Sequence, residues 1–133
     1  MRHVARRSRW LLVTVALMAC LVALSSCGQA SRGKSSHEVD MGVAEFLQSS
    51  ITITAGQSVQ FVDPANGGGV HVLCIGKDST CLPQAGAPSA LNVTHGVQMM
   101  PGDPPLTATF PTRGTYEVVC TIHPGMAVTV KVQ

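Results

Sequence analysis

Gly114-Thr115-Tyr116-Glu117-Val118-Val119-Cys120-Thr121-Ile122-His123-Pro124-Gly125-Met126-Ala127-Val128-Thr129-Val130, close to the C-terminus of this 133-residue chain, decides how the rest is read. Both ends are rich in β-branched and apolar residues and read as strands. Between them lies a short return from Cys120 to Met126. Pro124 and Gly125 shape it: Pro fixes φ, and Gly allows torsions barred to other residues. Within the return a thiol, an imidazole and a thioether recur every three residues, at Cys120, His123 and Met126. Soft sulfur and borderline nitrogen donors suit copper better than calcium or magnesium, which take oxygen.

A fourth donor is needed, and His71 stands on an earlier strand-like run, Val70-His71-Val72-Leu73. Two His and one Cys with a weak axial Met form the donor set of a blue-copper electron-transfer site. His71, Cys120 and His123 are the expected equatorial ligands of one copper ion, and Met126 the axial one. Strand alternation puts Val72 and Cys74 on the face opposite His71, so Cys74 is poorly placed to compete. His95, in Thr94-His95-Gly96, is the alternative to His71, weakened by its irregular surroundings. His37 is expected to be solvated. Met99 and Met100 are expected to pack over the site or to line a soft docking face rather than to hold a second Cu(I).

Outward from these donors the pattern stays short and alternating. Glu38 to Phe46 carries Val39, Met41 and Val43 at every second position, and Ile51-Thr52-Ile53-Thr54 alternates cleanly. Ala55-Gly56-Gln57 turns the chain into Ser58-Val59-Gln60-Phe61-Val62, and Asn66-Gly67-Gly68-Gly69 leads to a strand over Val70 to Ile75. Leu106 to Phe110, Gly114 to Cys120 and Met126 to Val132 complete the set. Gly76 to Pro105 is loop-like, with Ala90-Leu91-Asn92-Val93 as a short strand or turn within it; so long an excursion is usually functional or tied down. No segment after the N-terminal region keeps a capped 3.6-residue period, so the fold class is all-β, a sandwich or barrel of about seven or eight strands.

The C-x2-H-x2-M return after a Gly-Thr-Tyr-Glu-Val-Val strand resembles the cupredoxin family, and its short loop is most similar to that of amicyanins. Ile51 to Phe61 resembles the hairpin before the first copper His of that family, and the likeness runs from about residue 40 to residue 133. It implies a Greek-key sandwich or barrel, electron exchange through the edge ligand His123, and docking around Pro124, the Met99–Pro101 segment and Leu82-Pro83. One position departs from it: many cupredoxins follow the first copper His with an Asn that braces the Cys loop, whereas Val72 stands here. The brace is then expected from elsewhere, Thr121 or a residue of the long loop.

The N-terminus reads as an address. Arg2, Arg6, Arg7 and Arg9 precede an apolar run from Trp10 to Leu24, which is short for a membrane span and placed like a signal peptide. Leu24-Ser25-Ser26-Cys27 resembles a bacterial lipobox; Leu17-Met18-Ala19-Cys20 competes but would leave a very short apolar core. The expected organisation is a lipoprotein signal over 1–26, a lipidated Cys27 with a flexible tether over 27–37, and a copper domain over 38–133. An ordinary secreted protein is the alternative. Both place the chain outside the cytoplasm, the first anchored to the bacterial envelope membrane. With Cys20 removed, Cys27 lipidated and Cys120 on the metal, Cys74 and Cys81 remain as a disulfide pair across six residues.

Beyond the leader, five basic residues face seven acidic ones, a net charge of −2. No basic patch with interleaved aromatics exists there, so nucleic acid is excluded as a partner. No nucleophile–base pair or further metal cluster is legible, so the domain is expected to be no enzyme. The function expected is a monomeric electron shuttle between envelope redox partners of the cytochrome, oxidase or dehydrogenase kind. The alternative is an envelope copper-binding or delivery protein on the same fold.

Overall fold

Gly114–Cys120 and Ala127–Val132 form an antiparallel pair in the computed structural model, which describes residues 37–133. The expected leader over 1–26, Cys27 and the tether as far as residue 36 lie outside the described residues. In chain order the strands are β1 (Glu38–Asp40), β2 (Ser50–Ile53), β3 (Ser58–Val62), β4 (His71–Lys77), β5 (Thr80–Cys81), β6 (Val97–Met99), β7 (Leu106–Thr109), β8 (Gly114–Cys120) and β9 (Ala127–Val132). They make two sheets, one ordered β1-β3-β7 and one ordered β2-β9-β8-β4-β5, with β6 also on β4. This is the all-β sandwich expected, with nine strands among the described residues instead of seven or eight.

Period-2 patterning builds the layers. Tyr116, Val118 and Cys120 of β8 and Val128, Val130 and Val132 of β9 point inward and are buried, while Thr115 and Lys131 face solvent. Val39, Val59, Phe61 and Ala108 meet them from the smaller sheet. Phe46 packs edge-on against Phe61 at 6.1 Å, and Phe110 lies 5.5 Å from Tyr116. The Tyr116 hydroxyl, buried with its ring, lies 2.9 Å from the Thr112 carbonyl and 3.0 Å from that of Gly86. β9 lies between β2, its parallel neighbour, and β8.

The expected run over Glu38 to Phe46 ends early. Strand β1 stops at Asp40, and the chain folds back so that Met41 bridges Phe46 and Gly42 N–H donates to the Glu45 carbonyl at 2.9 Å. Val43, counted in the alternation, is exposed in that turn.

The excursion from Gly76 to Pro105 is tied down at several points and contains two strands. Asp78 and Ser79 both have positive φ (48° and 59°), the conformation a two-residue hairpin turn requires, and they reverse β4 into β5. The Cys74–Cys81 disulfide joins the two strands, as expected. Ile75 N–H donates to the Leu91 carbonyl at 2.8 Å, which places Leu91, fully buried, in a turn under the sheet edge. Strand β6 then pairs antiparallel with the start of β4.

Candidate metal centre

Strand β4 opens on His71 and strand β8 closes on Cys120, and the antiparallel register Leu73–Cys120 sets those two ends side by side. His71, Leu73 and Cys120 are buried on the inner face, whereas Cys74 pairs with Val119 on the other face and is held in the disulfide. The return is closed by its own backbone: Cys120 N–H donates to the Met126 carbonyl at 3.0 Å, and Met126 N–H to the His123 carbonyl at 3.1 Å. Gly125 takes φ +82°, a torsion that strains any residue with a Cβ. These bonds leave the return little slack and turn His123 back over Cys120.

The donor atoms converge. Cys120 Sγ lies 3.5 Å from His123 Nδ1 and 4.0 Å from His71 Nδ1, and one ligand atom of each of the three residues lies within 4.8 Å of the other two. Two donors each about 2.0–2.3 Å from one first-row metal ion are at most about 4.6 Å apart, so the sulfur–nitrogen separations fit one shared ion. The two imidazole rings stand edge to face at 5.0 Å. His71 and Cys120 are fully buried, Met126 is buried at the end of the return, and His123 is half-buried. Two imidazoles, a thiolate and a thioether on closed backbone suit copper by softness and number.

The brace that Val72 withholds as a side chain is supplied by the main chain. Val72 N–H donates to Cys120 Sγ at 3.4 Å, and Thr121 N–H donates to the Val72 carbonyl at 2.9 Å. Neither contact needs a particular side chain at position 72. Thr121 contributes, as expected, but through its backbone.

Around His71 the electrostatics are uneven. Burial pushes its pKa below the ordinary 6.5; the Asp63 charge pulls it up, the His123 ring pushes it further down, and the Gly42 backbone pulls it up. The neutral imidazole that a metal requires is thereby favoured before any metal binds. Asp63 itself is 1 % exposed, and neither carboxyl oxygen has a hydrogen-bond partner. Desolvation raises its pKa, with His71 opposing and Asp103 adding to the rise.

The structure thus brings His71, Cys120 and His123 together and buries Met126 beside them. His95 is exposed and outside the donor cluster. His37 is half-buried, and its carbonyl accepts the Gln60 N–H at 2.9 Å, so it is docked to β3 rather than solvated. Met99 is buried opposite His71 in the β4–β6 register, and Met100 is exposed. Leu82-Pro83 is misplaced as a docking element: β5 pairs with Gly76 and Lys77, the end of β4 remote from His71. Asp63 and the Gly42 backbone went unread; the available signal was an acidic residue ending an apolar strand eight positions before the first ligand.

Residues 34–133 match the family of copper-binding proteins described as plastocyanin/azurin. Among solved structures, amicyanin from Paracoccus versutus superposes with a TM-score of 0.53 at 22 % identity, over 75 % of this chain and 83 % of that one. A mutant plastocyanin of fern gives 0.52 at 26 % identity, over 72 % and 99 %. Plastocyanin from Dryopteris crassirhizoma gives 0.52 at 25 %, over the same shares. No curated protein sequence matches.

Proposed function

The chain belongs to the plastocyanin/azurin family of copper-binding proteins, and on that premise we propose that it carries single electrons through one copper ion held by His71, Cys120, His123 and Met126. The observation that carries this reading is the convergence of a buried thiol and two imidazoles on a return closed at both ends by backbone bonds. Copper bound there supplies a one-electron couple between Cu(II) and Cu(I). Cys120 serves as the thiolate ligand, with the Val72 N–H aimed at its sulfur to orient it. His71 is locked in the sheet, so its ring cannot swing out with a change of oxidation state. A stiff donor set is what a shuttle needs, because little has to move when the electron does.

His123 is the ligand nearest solvent and the exit proposed for the electron. Exposed Ile122 and Pro124 flank it, and a Cβ at Gly69 would meet the Val43 carbonyl at 3.2 Å and the His123 ring at 3.9 Å, which puts that turn at the same end. These residues offer an apolar rim on which redox proteins can dock transiently. The burial of His71, Cys120 and Met126 favours retention of the ion over its delivery to another protein. The domain is read as a carrier and not as an enzyme, since four donors fill the coordination shell. Anchoring through a lipidated Cys27 at the extracytoplasmic face of a bacterial envelope completes the proposal, with 38–133 as the working domain.

Visible and EPR spectra of the Cu(II)-loaded domain test the reading. An intense thiolate-to-copper band with a small hyperfine splitting is expected, lost on Cys120→Ser. An unchanged spectrum in that variant would refute the ligand assignment.

A further inference from the structure

The end of the sandwich that holds the donors exposes carboxylates and no basic side chain. Four segments build it: the turn after β1, the connection from β3 to β4, the turn after β6 and the Cys120–Met126 return. They place Glu45 and Asp103 at the surface, and none of them contains a Lys or Arg. The basic residues among those described are Lys77, Arg113 and Lys131, and they lie toward the opposite end. Lys77 closes β4, which His71 opens; Arg113 precedes β8, which Cys120 closes; and Lys131 pairs with Thr115 near the start of β8. At about 3.3 Å per residue each is roughly 15 Å or more along its strand from the donors.

Contacts tie the two carboxylates to the His123 face. A Cβ on Gly68 would meet Val43 Cγ2 at 2.7 Å, and one on the next residue, Gly69, would reach the His123 ring, so the turn after β1 lies against the same stretch of chain as the ring. Glu45 belongs to that turn, its carbonyl accepting the Gly42 N–H at 2.9 Å. The turn after β6 joins the same connection at another point: Gly102 N–H donates to the Asp63 carbonyl at 2.8 Å, and a Cβ on Gly102 would meet Ala65 Cβ at 3.4 Å. Asp103 follows, its Oδ2 accepting the Met100 N–H at 2.8 Å. Val43, Met100 and Ile122 are large apolar side chains left exposed in these segments. The face is therefore apolar around His123, with one carboxylate in each of two flanking turns.

Charge decides what such a face accepts. A second copy of the chain would set like carboxylates against each other, and an anionic lipid surface would be repelled by the same groups. We propose that the electron partner docks here with lysine or arginine side chains ringing its own redox centre, and that Glu45 and Asp103 guide it onto His123. The inference rests on the copper reading above and gives the partner a chemical class. One electron passes from the partner's reduced metal to Cu(II), leaving the partner oxidised and Cu(I) in this protein, and no proton moves.

Reduced cytochrome c, a haem protein rich in surface lysine, is the probe. Stopped flow gives the rate at which it reduces the copper-loaded protein, and NMR shifts give its affinity for the metal-free protein. Both are expected to fall as salt rises from about 10 to 150 mM, over which the screening length contracts from about 30 to 8 Å. Glu45→Gln and Asp103→Asn should each lower the low-salt rate about threefold, the weight in water of one pair of unit charges about 7 Å apart. Both should weaken binding of the metal-free protein and leave the thiolate band and midpoint potential in place. Lys131→Gln changes the net charge by as much at the remote end and should move the rate less. A rate and affinity indifferent to salt and to both carboxylate variants, beside an intact band, overturn this inference alone. So does an effect of K131Q as large as that of E45Q, which would leave only net charge at work. Sedimentation as a dimer that Val43→Ser disperses would assign the face to a second copy and overturn it as well. Absence of the band from the unsubstituted protein overturns the copper reading, and this inference with it.

Discussion

Removing the Cys74–Cys81 bridge by replacing both residues with Ala should cost stability and leave the metal centre untouched. The two cysteines are seven positions apart, so the bridge closes a loop of about eight residues. Loop-closure entropy for that length is about 8 cal/mol/K, which is about 2.5 kcal/mol at 25 °C. Cys74 is fully buried, and truncating it to Ala adds on the order of 1 kcal/mol of lost packing. For a domain of about 100 residues each kcal/mol moves the unfolding midpoint by about 4–8 °C, so a fall of roughly 14–28 °C is expected. Denaturant unfolding of the metal-free domain followed by circular dichroism measures the loss, and the spectrum of the copper-loaded variant checks the site. A loss below about 1 kcal/mol would refute the entropic account, because the Asp78-Ser79 turn would then already order the hairpin in the unfolded chain. A bleached copper band would refute the placement of Cys74 on the face away from the donors.

Tyr116→Phe deletes a buried hydroxyl that serves the Thr112 and Gly86 carbonyls, and should cost about 1–2 kcal/mol in chemical denaturation without changing the copper spectrum. Met126→Leu should keep the thiolate band and raise the midpoint by tens of millivolts, roughly 59 mV being a tenfold change in a one-electron equilibrium; a fall in voltammetry would argue against an axial thioether. The metal-free domain should gain stability as pH rises toward about 6.5 and level off above it. Burial first, then the His123 ring, holds the folded His71 pKa down, so in that window the unfolded chain binds the proton that the folded chain refuses. Measuring unfolding free energy against pH beside His71→Gln isolates this slope, which should flatten in the variant.

What the sequence disclosed, it disclosed through patterns that local chemistry enforces. Strand β8 and the return from Cys120 to Met126 are read correctly because the alternation, Pro124-Gly125 and the donor spacing all act within one hairpin. His71 is legible because a donor on a strand must pair with a donor at a strand end. Strand β5 is not legible because it is two residues long and its turn, Asp78-Ser79, lacks the glycine such hairpins usually carry; β6 is three residues long and its β4 partners lie more than twenty positions away. Met41 reads as part of a longer strand because alternation does not reveal that the chain folds back after it, with Gly42 N–H on the Glu45 carbonyl. The signal at Asp63 is weak for a related reason: an Asp-Pro step after a strand reads as an exposed turn, and burial is a property of the assembled sandwich.

The position of β9 governs the order in which the molecule can be made. Its residues join β8, their neighbour in sequence, to β2, more than seventy positions earlier in register. Until Ala127–Val132 have been synthesised, β2 has no partner on that side and the Cys120–Met126 return has no second strand to close it. Pairing at such long separation is intrinsically slow, because the entropy of closing the chain must be overcome before the contact rewards it. Convergence of the copper donors therefore waits on the pairing of β8 with β9. Closure of the Cys120–Met126 return thus depends on a strand that also anchors a distant one, so the donor cluster and the far edge of the larger sheet are built by the same pairing.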